Sequence, residues 1–276
     1  MVSSFMKIIN ILSRRNRILL RELVVTDFKL RYQGSVLGYL WSLLKPLMLF
    51  TILYLVFVRF LKFGAGEEHF AVSLLLGTVL WTFFTEATGQ GMAAIVSRGD
   101  LIRKINFPKY IIVISGTISA LINLTLNLVV VFVFILINGV DIKWSIFLFP
   151  LSILELYIFA LALAFALAAV YVKYRDVSHI WEIFLQALFY ATPIIYPLSL
   201  VVENAGPWIA KLLMLNPVAQ IIQDARYSAI SNKTLTTQGF IENPFLAAVP
   251  YGIVFLLIIF AIFYFKKNQK YFAENV

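Results

Sequence analysis

The chain has 276 residues, of which 61% are hydrophobic and only 13% charged, with a net charge of +9 and no cysteine. A soluble domain carries about 25% charged residues, so a globule in water could not hide this much apolar surface. Without cysteine there is neither a disulfide framework nor a thiolate metal site, and His69 and His179, the two histidines, stand far apart in the sequence, which argues against a metal centre.

The N-terminal stretch Met1 to Arg31 is basic but lacks the compact apolar run and small residues of a cleaved signal peptide, so it is expected to persist. Within it, residues 15–32 predict an amphipathic helix, with Leu20, Val24, Phe28 and Tyr32 at i, i+4 spacing and Arg17 and Arg21 on another face. Such a helix lies along the cytoplasmic membrane surface rather than crossing it. Only 35 residues precede Val36, which leaves little room for a soluble domain to receive it.

Six apolar blocks follow, near Val36–Leu61, Phe70–Val96, Tyr110–Asn138, Trp144–Tyr171, Ile180–Leu200 and Ala247–Phe265. About 20 residues cross a hydrocarbon core, and Tyr110 to Val140 alone runs for 31 residues without Asp, Glu, Lys or Arg. Blocks this long and uniform exclude barrel strands, because backbone groups in lipid must be satisfied within each segment. The expected fold is all-α: one transmembrane domain over residues 1–276, with six spanning helices and no internal repeat.

Orientation follows from Lys and Arg in alternate connections. The N-terminal segment, the loops near 97–110 and 173–175 and the tail carry 16 of them, and the opposite connections carry 6 (Arg59, Lys62, Lys143, Lys211, Arg226 and Lys233). Both termini are therefore expected in the cytoplasm, and the positive excess reads as topology rather than as a nucleic-acid footprint.

The cytoplasmic stretch 97–110, SRGDLIRKINFPKY, sets Leu101, Ile102, Ile105 and Phe107 against four cations, with Pro108 limiting it. An apolar ridge with a charged rim suits docking into a groove of a soluble partner; a positive-inside loop would satisfy the charges equally. The longest outside connection, 201–246, contains Gly206-Pro207, which could open a short helix carrying Trp208, Ile209, Leu212 and Leu213. Asn216-Pro217 then starts another, with Ile221 and Ile222. Two readings stand, a segment dipping back into the outer leaflet or a hairpin resting on it.

Four ionisable residues fall within the blocks: Lys45, Glu86, Glu155 and, at a cytoplasmic end, Glu182. Such residues face the bundle interior or water, and a Lys–Glu pairing and a substrate contact are both open for them. Pro46 is expected to kink the first span. Tyr39, Phe50, Tyr54 and Phe57 share one face of that span, a surface either for helix packing or for sugar rings. The phosphate-loop pattern G-x-x-x-x-G-K-[ST], G-x-S-x-G and paired catalytic carboxylates are all absent from the sequence, so no catalytic residue is assigned and an energy source must come from elsewhere.

Four motifs occur in order: RELVVTDFKLRYQGSVLGYLWSLLKPLM (Arg21 to Met48), LIRKINFPKY (Leu101 to Tyr110), YRDVSHIWEIFLQALFYATPIIYP (Tyr174 to Pro197) and NPVAQIIQDARYSAI (Asn216 to Ile230). Together they resemble the permease subunits of ABC-type polysaccharide exporters, the O-antigen and teichoic-acid export family, from about Arg21 onward. Lys45 departs from the neutral residue that this family often has before Pro46.

The resemblance implies an inner-membrane homodimer in contact with membrane lipids, paired with two ATPase subunits that bind Mg-ATP; this chain itself needs no cofactor. The implied substrate is a glycan on polyprenyl pyrophosphate. Arg98, Asp100, Leu101, Arg103, Lys104, Phe107 and Pro108 would belong to a coupling helix, and residues 15–32 to an interfacial helix. Trp208, Leu212, Pro217 and Ile221 would form an outer gate, Tyr39, Phe50, Tyr54 and Phe57 the polymer path, and Arg31, Arg103 and Lys104 the pyrophosphate-binding mouth. The rivals are an exporter of drugs or small lipids and, from another class, a membrane-embedded glycosyltransferase. The latter needs loop carboxylates close together, where the cytoplasmic loops offer only Asp100 and Asp176.

Overall fold

A computed structural model of the chain describes residues 13–64 and 66–275, and every regular element among them is helical. Helix α1 (Arg14–Tyr32) is capped by Ser13, whose hydroxyl accepts from the Asn16 amide at 3.3 Å. A turn at Gly38–Leu40 leads into α2 (Trp41–Leu53), which contains Pro46 and continues as a π-helical stretch, Tyr54–Phe60. Then come α3 (Phe70–Ser97), the short α4 (Gly99–Lys104), α5 (Tyr110–Ile137), α6 (Phe149–Tyr171) and α7 (Val177–Tyr190). Five short helices follow, α8 (Leu198–Ala205), α9 (Pro207–Met214), α10 (Pro217–Ala229), α11 (Thr237–Phe240) and α12 (Pro244–Ala247), before α13 (Val249–Asn268) and α14 (Phe272–Asn275).

Local chemistry sets many of these boundaries. Proline opens α6, α9, α10, α12 and α13, where its missing N–H costs nothing. Asn216 and Asn243 cap α10 and α12, accepting from the amides of Val218 (3.0 Å) and Phe245 (2.9 Å).

Among the described residues, five stretches are long and apolar enough to cross a membrane: Gly38–Phe60, Phe70–Ser97, Tyr110–Ile137, Trp144–Tyr171 and Val249–Asn275. The block expected at Ile180–Leu200 differs. Its helix α7 has 14 residues, about 21 Å at ~1.5 Å per residue, against a hydrocarbon core of ~30 Å. Pro193 and Pro197 lack amide donors, so the helix ends and the chain turns through residues 191–197.

The centre of the bundle is α3, whose whole length is lined by buried side chains from Phe70 to Ile95. It packs on α5 and α6 through small residues. A Cβ on Gly91 would stand 2.4 Å from the Ala164 Cβ, and one on Gly116 would stand 3.3 Å from the Gln90 carbonyl oxygen. Where lipid is as apolar as the side chains, this close fit replaces the hydrophobic effect as the source of cohesion. Helix α13 joins through Ala261 against Ala162 and Ala166. By contrast α2 with its π-helical continuation and α7 are thinly covered: Met48, Ile52 and Leu55 on one and Ile180, Ile183 and Tyr190 on the other are all more than half exposed.

The connections gather at two ends. At one, Leu23 of α1, Ile102 and Phe107, Val172 and Phe272 share an apolar cluster, and Arg175 donates to the Asn275 carbonyl at 3.3 Å. At the other, Ser199 donates to Glu67 at 2.9 Å, Lys233 pairs with Glu68 at 2.6 Å, and Ser145 donates to the Ser228 carbonyl at 3.1 Å. The described members of the basic-rich connections fall at the first end and those of the basic-poor connections at the second.

Candidate coupling, gate and translocation sites

At the basic end, α4 follows α3 almost without a break. Ile102 and Phe107 are buried in the apolar cluster, while Asp100, Arg103, Lys104 and Ile105 are exposed and Leu101 and Pro108 are half-buried. The segment is thus held by two apolar anchors and offers a charged outer surface; Arg103 and Asp100 approach to 3.5 Å across it. Phe107, grouped by sequence with the docking residues, serves instead to hold the segment down.

Arg98 is not part of the exposed surface either. Its guanidinium pairs with Asp27 of α1 and donates to the Ser115 hydroxyl of α5 at 2.8 Å, so one side chain ties α1, α3 and α5 together. Burial pushes this guanidinium below its usual pKa, and the Asp27 carboxylate supplies the compensating charge. Helix α1 turns Asn16, Leu23 and Val24 inward and leaves Arg17 and Arg21 exposed; of the expected apolar row Val24 is buried, Leu20 and Phe28 are half-buried, and the side chain of Tyr32 lies outside the described residues. Arg103 and Lys104 of the proposed pyrophosphate mouth are exposed near α1; the side chain of Arg31 lies outside the described residues.

The aromatic stripe of the first span is divided. Tyr39 stacks on Phe28 of α1 with centroids 5.0 Å apart, whereas Phe50 is buried edge-on against Phe134 at 5.8 Å. Tyr54 and Phe57 remain half-buried, Tyr54 beneath the Arg59 guanidinium at 5.7 Å and Phe57 beside Phe63 at 5.6 Å. Phe50 therefore packs within the chain, whereas Tyr39, half-exposed at the start of the span, and Tyr54 and Phe57 further along it keep accessible ring surface.

The opposite end carries α8 to α12. Trp208 and Leu212 are exposed on α9, while Pro217 and Ile221 are buried on α10. The residue that organises this region is Arg226, which the sequence marks only as an outside charge. Buried to 3% exposure, it donates to the backbone carbonyls of Ser73 (3.1 Å), Pro193 (2.6 Å) and Ile194 (2.9 Å). One side chain thus joins α10 to the start of α3 and to the irregular stretch after α7. Gly77 gives it room, since a Cβ there would stand 2.8 Å from the guanidinium. A signal was present in the sequence: an arginine flanked by Ile221, Ile222 and Ala225 is costly unless carbonyls or anions receive it.

Glu155 of α6 and Asp224 of α10 meet through Gln220, whose amide lies 3.4 Å from Glu155 and 2.6 Å from Asp224, with the Tyr251 hydroxyl 3.2 Å away. Glu86 accepts from Gln90 and Asn123, each at 2.7 Å, and Glu182 is exposed. Among the described residues Lys45 forms no ion pair with either glutamate.

A family model described as ABC-2 type transporter matches residues 2–229. The chain belongs to the ABC-2 type transporter family. Among relatives of this ABC-2 transporter, an O-antigen export system permease protein RfbA from Myxococcus xanthus is 31% identical over 258 residues, which is 94% of this chain and 95% of that protein. Two proteins of the same description from Klebsiella pneumoniae are 25% and 24% identical, each over 90% of this chain and 91% of their own length. An ABC-2 permease is the membrane subunit of an exporter whose ATPase is a separate protein, so the outward surface of α4 is the part of this transporter to compare with a docking element.

Proposed function

We propose that this permease exports a polyprenyl-pyrophosphate-linked polysaccharide of the O-antigen type across the cytoplasmic membrane, as a homodimer driven by two ATPase subunits that bind Mg-ATP. The observation that carries the reading is likeness over nearly the whole chain to a permease named for O-antigen export, together with an anchored, outwardly charged α4 at the basic end. An exporter of drugs or small lipids shares the architecture, but the relatives' names do not favour it.

In this reading the chain crosses the bilayer six times. Residues 172–176 join the basic end and residues 199–203 the other, so α7 and the bent stretch to Pro197 make the fifth passage, completed by irregular backbone covered by protein. An even number puts both termini on one side, and the Lys/Arg asymmetry supports the cytoplasm as that side. Helix α1 lies at the inner interface, and α8 to α10 form an outer gate whose short helices enter the outer leaflet.

ATP-driven closure of the partner subunits would push on α4. Because Arg98 links its base to α1 and α5, the displacement would reach the bundle and shift it between shut and open arrangements. Contacts along the path have to be weak and repeated, a demand that partly accessible aromatic rings such as Tyr54 and Phe57 meet.

Deleting the gene in its host is the test. The expected result is loss of surface glycan with lipid-linked glycan retained inside, and co-purification of the permease with a phosphate-loop ATPase. Normal surface glycan in the deletion strain would overturn the reading.

A further inference from the structure

A cavity of about 540 Å³ opens between α2, α3 and α5 in the half of the bundle nearer the basic end, lined by Ser35, Trp41, Lys45, Thr82, Thr85 and Glu86 among others. Its volume falls within the ~300–1,000 Å³ of small-ligand sites, and its polarity is unusual for a position among spanning helices. Gln90 also lines a smaller cavity of about 230 Å³ bounded by Asp27, Ser97 and Arg98, so polar wall continues from the basic end up one face of α3.

The direction of the hydrogen bonds identifies the ligand chemistry. Ser42, Thr82 and Thr85 spend their hydroxyl protons on the carbonyls of Tyr39 (2.7 Å), Thr78 (2.7 Å) and Thr82 (2.9 Å), so their oxygens keep lone pairs for an incoming donor. Gln90 and Asn123 each place one amide hydrogen on Glu86 and keep a second, while the Asn127 amide uses both on the Ser42 and Asn123 carbonyls. The described lining therefore mixes acceptors, the hydroxyl oxygens and the Glu86 carboxylate, with donors, the Lys45 ammonium, the Trp41 indole N–H and the remaining amide hydrogens. A phosphate, which brings only acceptors and negative charge, would leave the hydroxyl oxygens unmet and stand against the Glu86 carboxylate. A polyhydroxylated ring is well met: its hydroxyls donate to Glu86 and the threonines, accept from Lys45, and its C–H face packs on Trp41.

We infer that this cavity is a carbohydrate subsite that holds a pyranose unit of the transported glycan within the inner half of the bilayer, with Glu86 and Lys45 as its principal polar contacts. The inference rests on the export reading and adds a named binding place to it.

The test places p-benzoylphenylalanine at Trp41 in host cells that make the glycan, with a second probe at Phe255 on the exposed face of α13 as control. Should the Trp41 variant not restore export, the probe moves to Ser35, which is exposed and lines the same cavity. Irradiation is expected to attach periodate-stained glycan at the cavity position and not at Phe255. Adding Glu86→Gln, which keeps an oxygen for both amides, together with Lys45→Met should weaken that labelling about tenfold. Adducts confined to phospholipid, or labelling that ignores both substitutions, would overturn the subsite. Failure of the export reading is distinguishable, because it appears as undiminished surface glycan in the deletion strain before any irradiation.

Discussion

Replacing Arg226 by methionine keeps bulk but removes three charge-assisted hydrogen bonds to the carbonyls of Ser73, Pro193 and Ile194. Ser73 lies in the first turn of α3, where its carbonyl retains an intrahelical donor, so the loss there is partial. Pro193 and Ile194 sit in irregular backbone, where each deserted buried carbonyl costs about 1–3 kcal/mol. Relief of the buried charge offsets part of this, leaving a net loss of roughly 3 kcal/mol. At about 2–4 °C per kcal/mol for a chain of this size, the midpoint of thermal unfolding should fall by roughly 6–12 °C, read by fluorescence-detected size exclusion of detergent-solubilised protein. Arg226→Lys should recover only part of that, since a single ammonium lacks the guanidinium fork. A double-mutant cycle sharpens the test. Gly77→Ala puts a Cβ 2.8 Å from the guanidinium, so it should destabilise the wild type and cost much less beside Arg226→Met. Additive effects of the two substitutions, or a midpoint for Arg226→Met within about 2 °C of wild type, would refute the idea that this arginine pins α10 to α3 and to the stretch after α7.

Gly91→Ala drives a methyl into Ala164 and should lower the same midpoint by an amount typical of overpacking, about 1–3 kcal/mol, while Gly89→Ala, with open space around it, should leave it unchanged. Asp27→Asn strips the countercharge from Arg98; stimulation of the partner ATPase by permease should drop severalfold, whereas Thr125→Val, on an exposed part of α5, should not alter it. Arg103→Ala with Lys104→Ala changes only exposed side chains, so export is expected to fall while the elution of the permease in size exclusion stays unchanged. Tyr54→Ala with Phe57→Ala should slow surface delivery of glycan in a pulse-chase experiment without affecting assembly; unchanged delivery removes these rings from the polymer path.

The helix class and five of the six spanning blocks were legible in the sequence, because apolar block length reports directly on lipid. The periodicity of residues 15–32 foresaw the exposure of Arg17 and Arg21 but not the buried set, which is Asn16, Leu23 and Val24 rather than the row through Leu20, Val24 and Phe28. Other features depend on three-dimensional packing that hydropathy encodes only in part. Of the five spanning stretches α3 has the lowest mean hydropathy, 1.5 against 1.9–2.7, and is the enclosed one; that difference, Gly77, Gly91 and its polar face from Thr82 to Gln90 were the available hints. The early stop of α7 at Tyr190 was written in Pro193 and Pro197, which an apolar count over Ile180–Leu200 passes over. The buried position of Phe107 and Arg98 inverts a simple reading of an amphipathic loop, in which apolar residues dock and cations surround them. Apolar residues there anchor the loop to its own protein, and one cation is spent within the fold.

The unequal cover of the helices has a mechanical consequence. A helix enclosed along most of its surface and locked by close glycine and alanine contacts to α5 and α6, as α3 is, cannot slide without tearing out its own cohesion, whereas α2 and α7 rest on the bundle by one flank. Moving such a loosely leaned strut by a few ångströms exchanges one hydrocarbon neighbour for another at little cost in free energy. Any seam wide enough for a bulky passenger is therefore cheapest to part along these two struts, with the central post standing still.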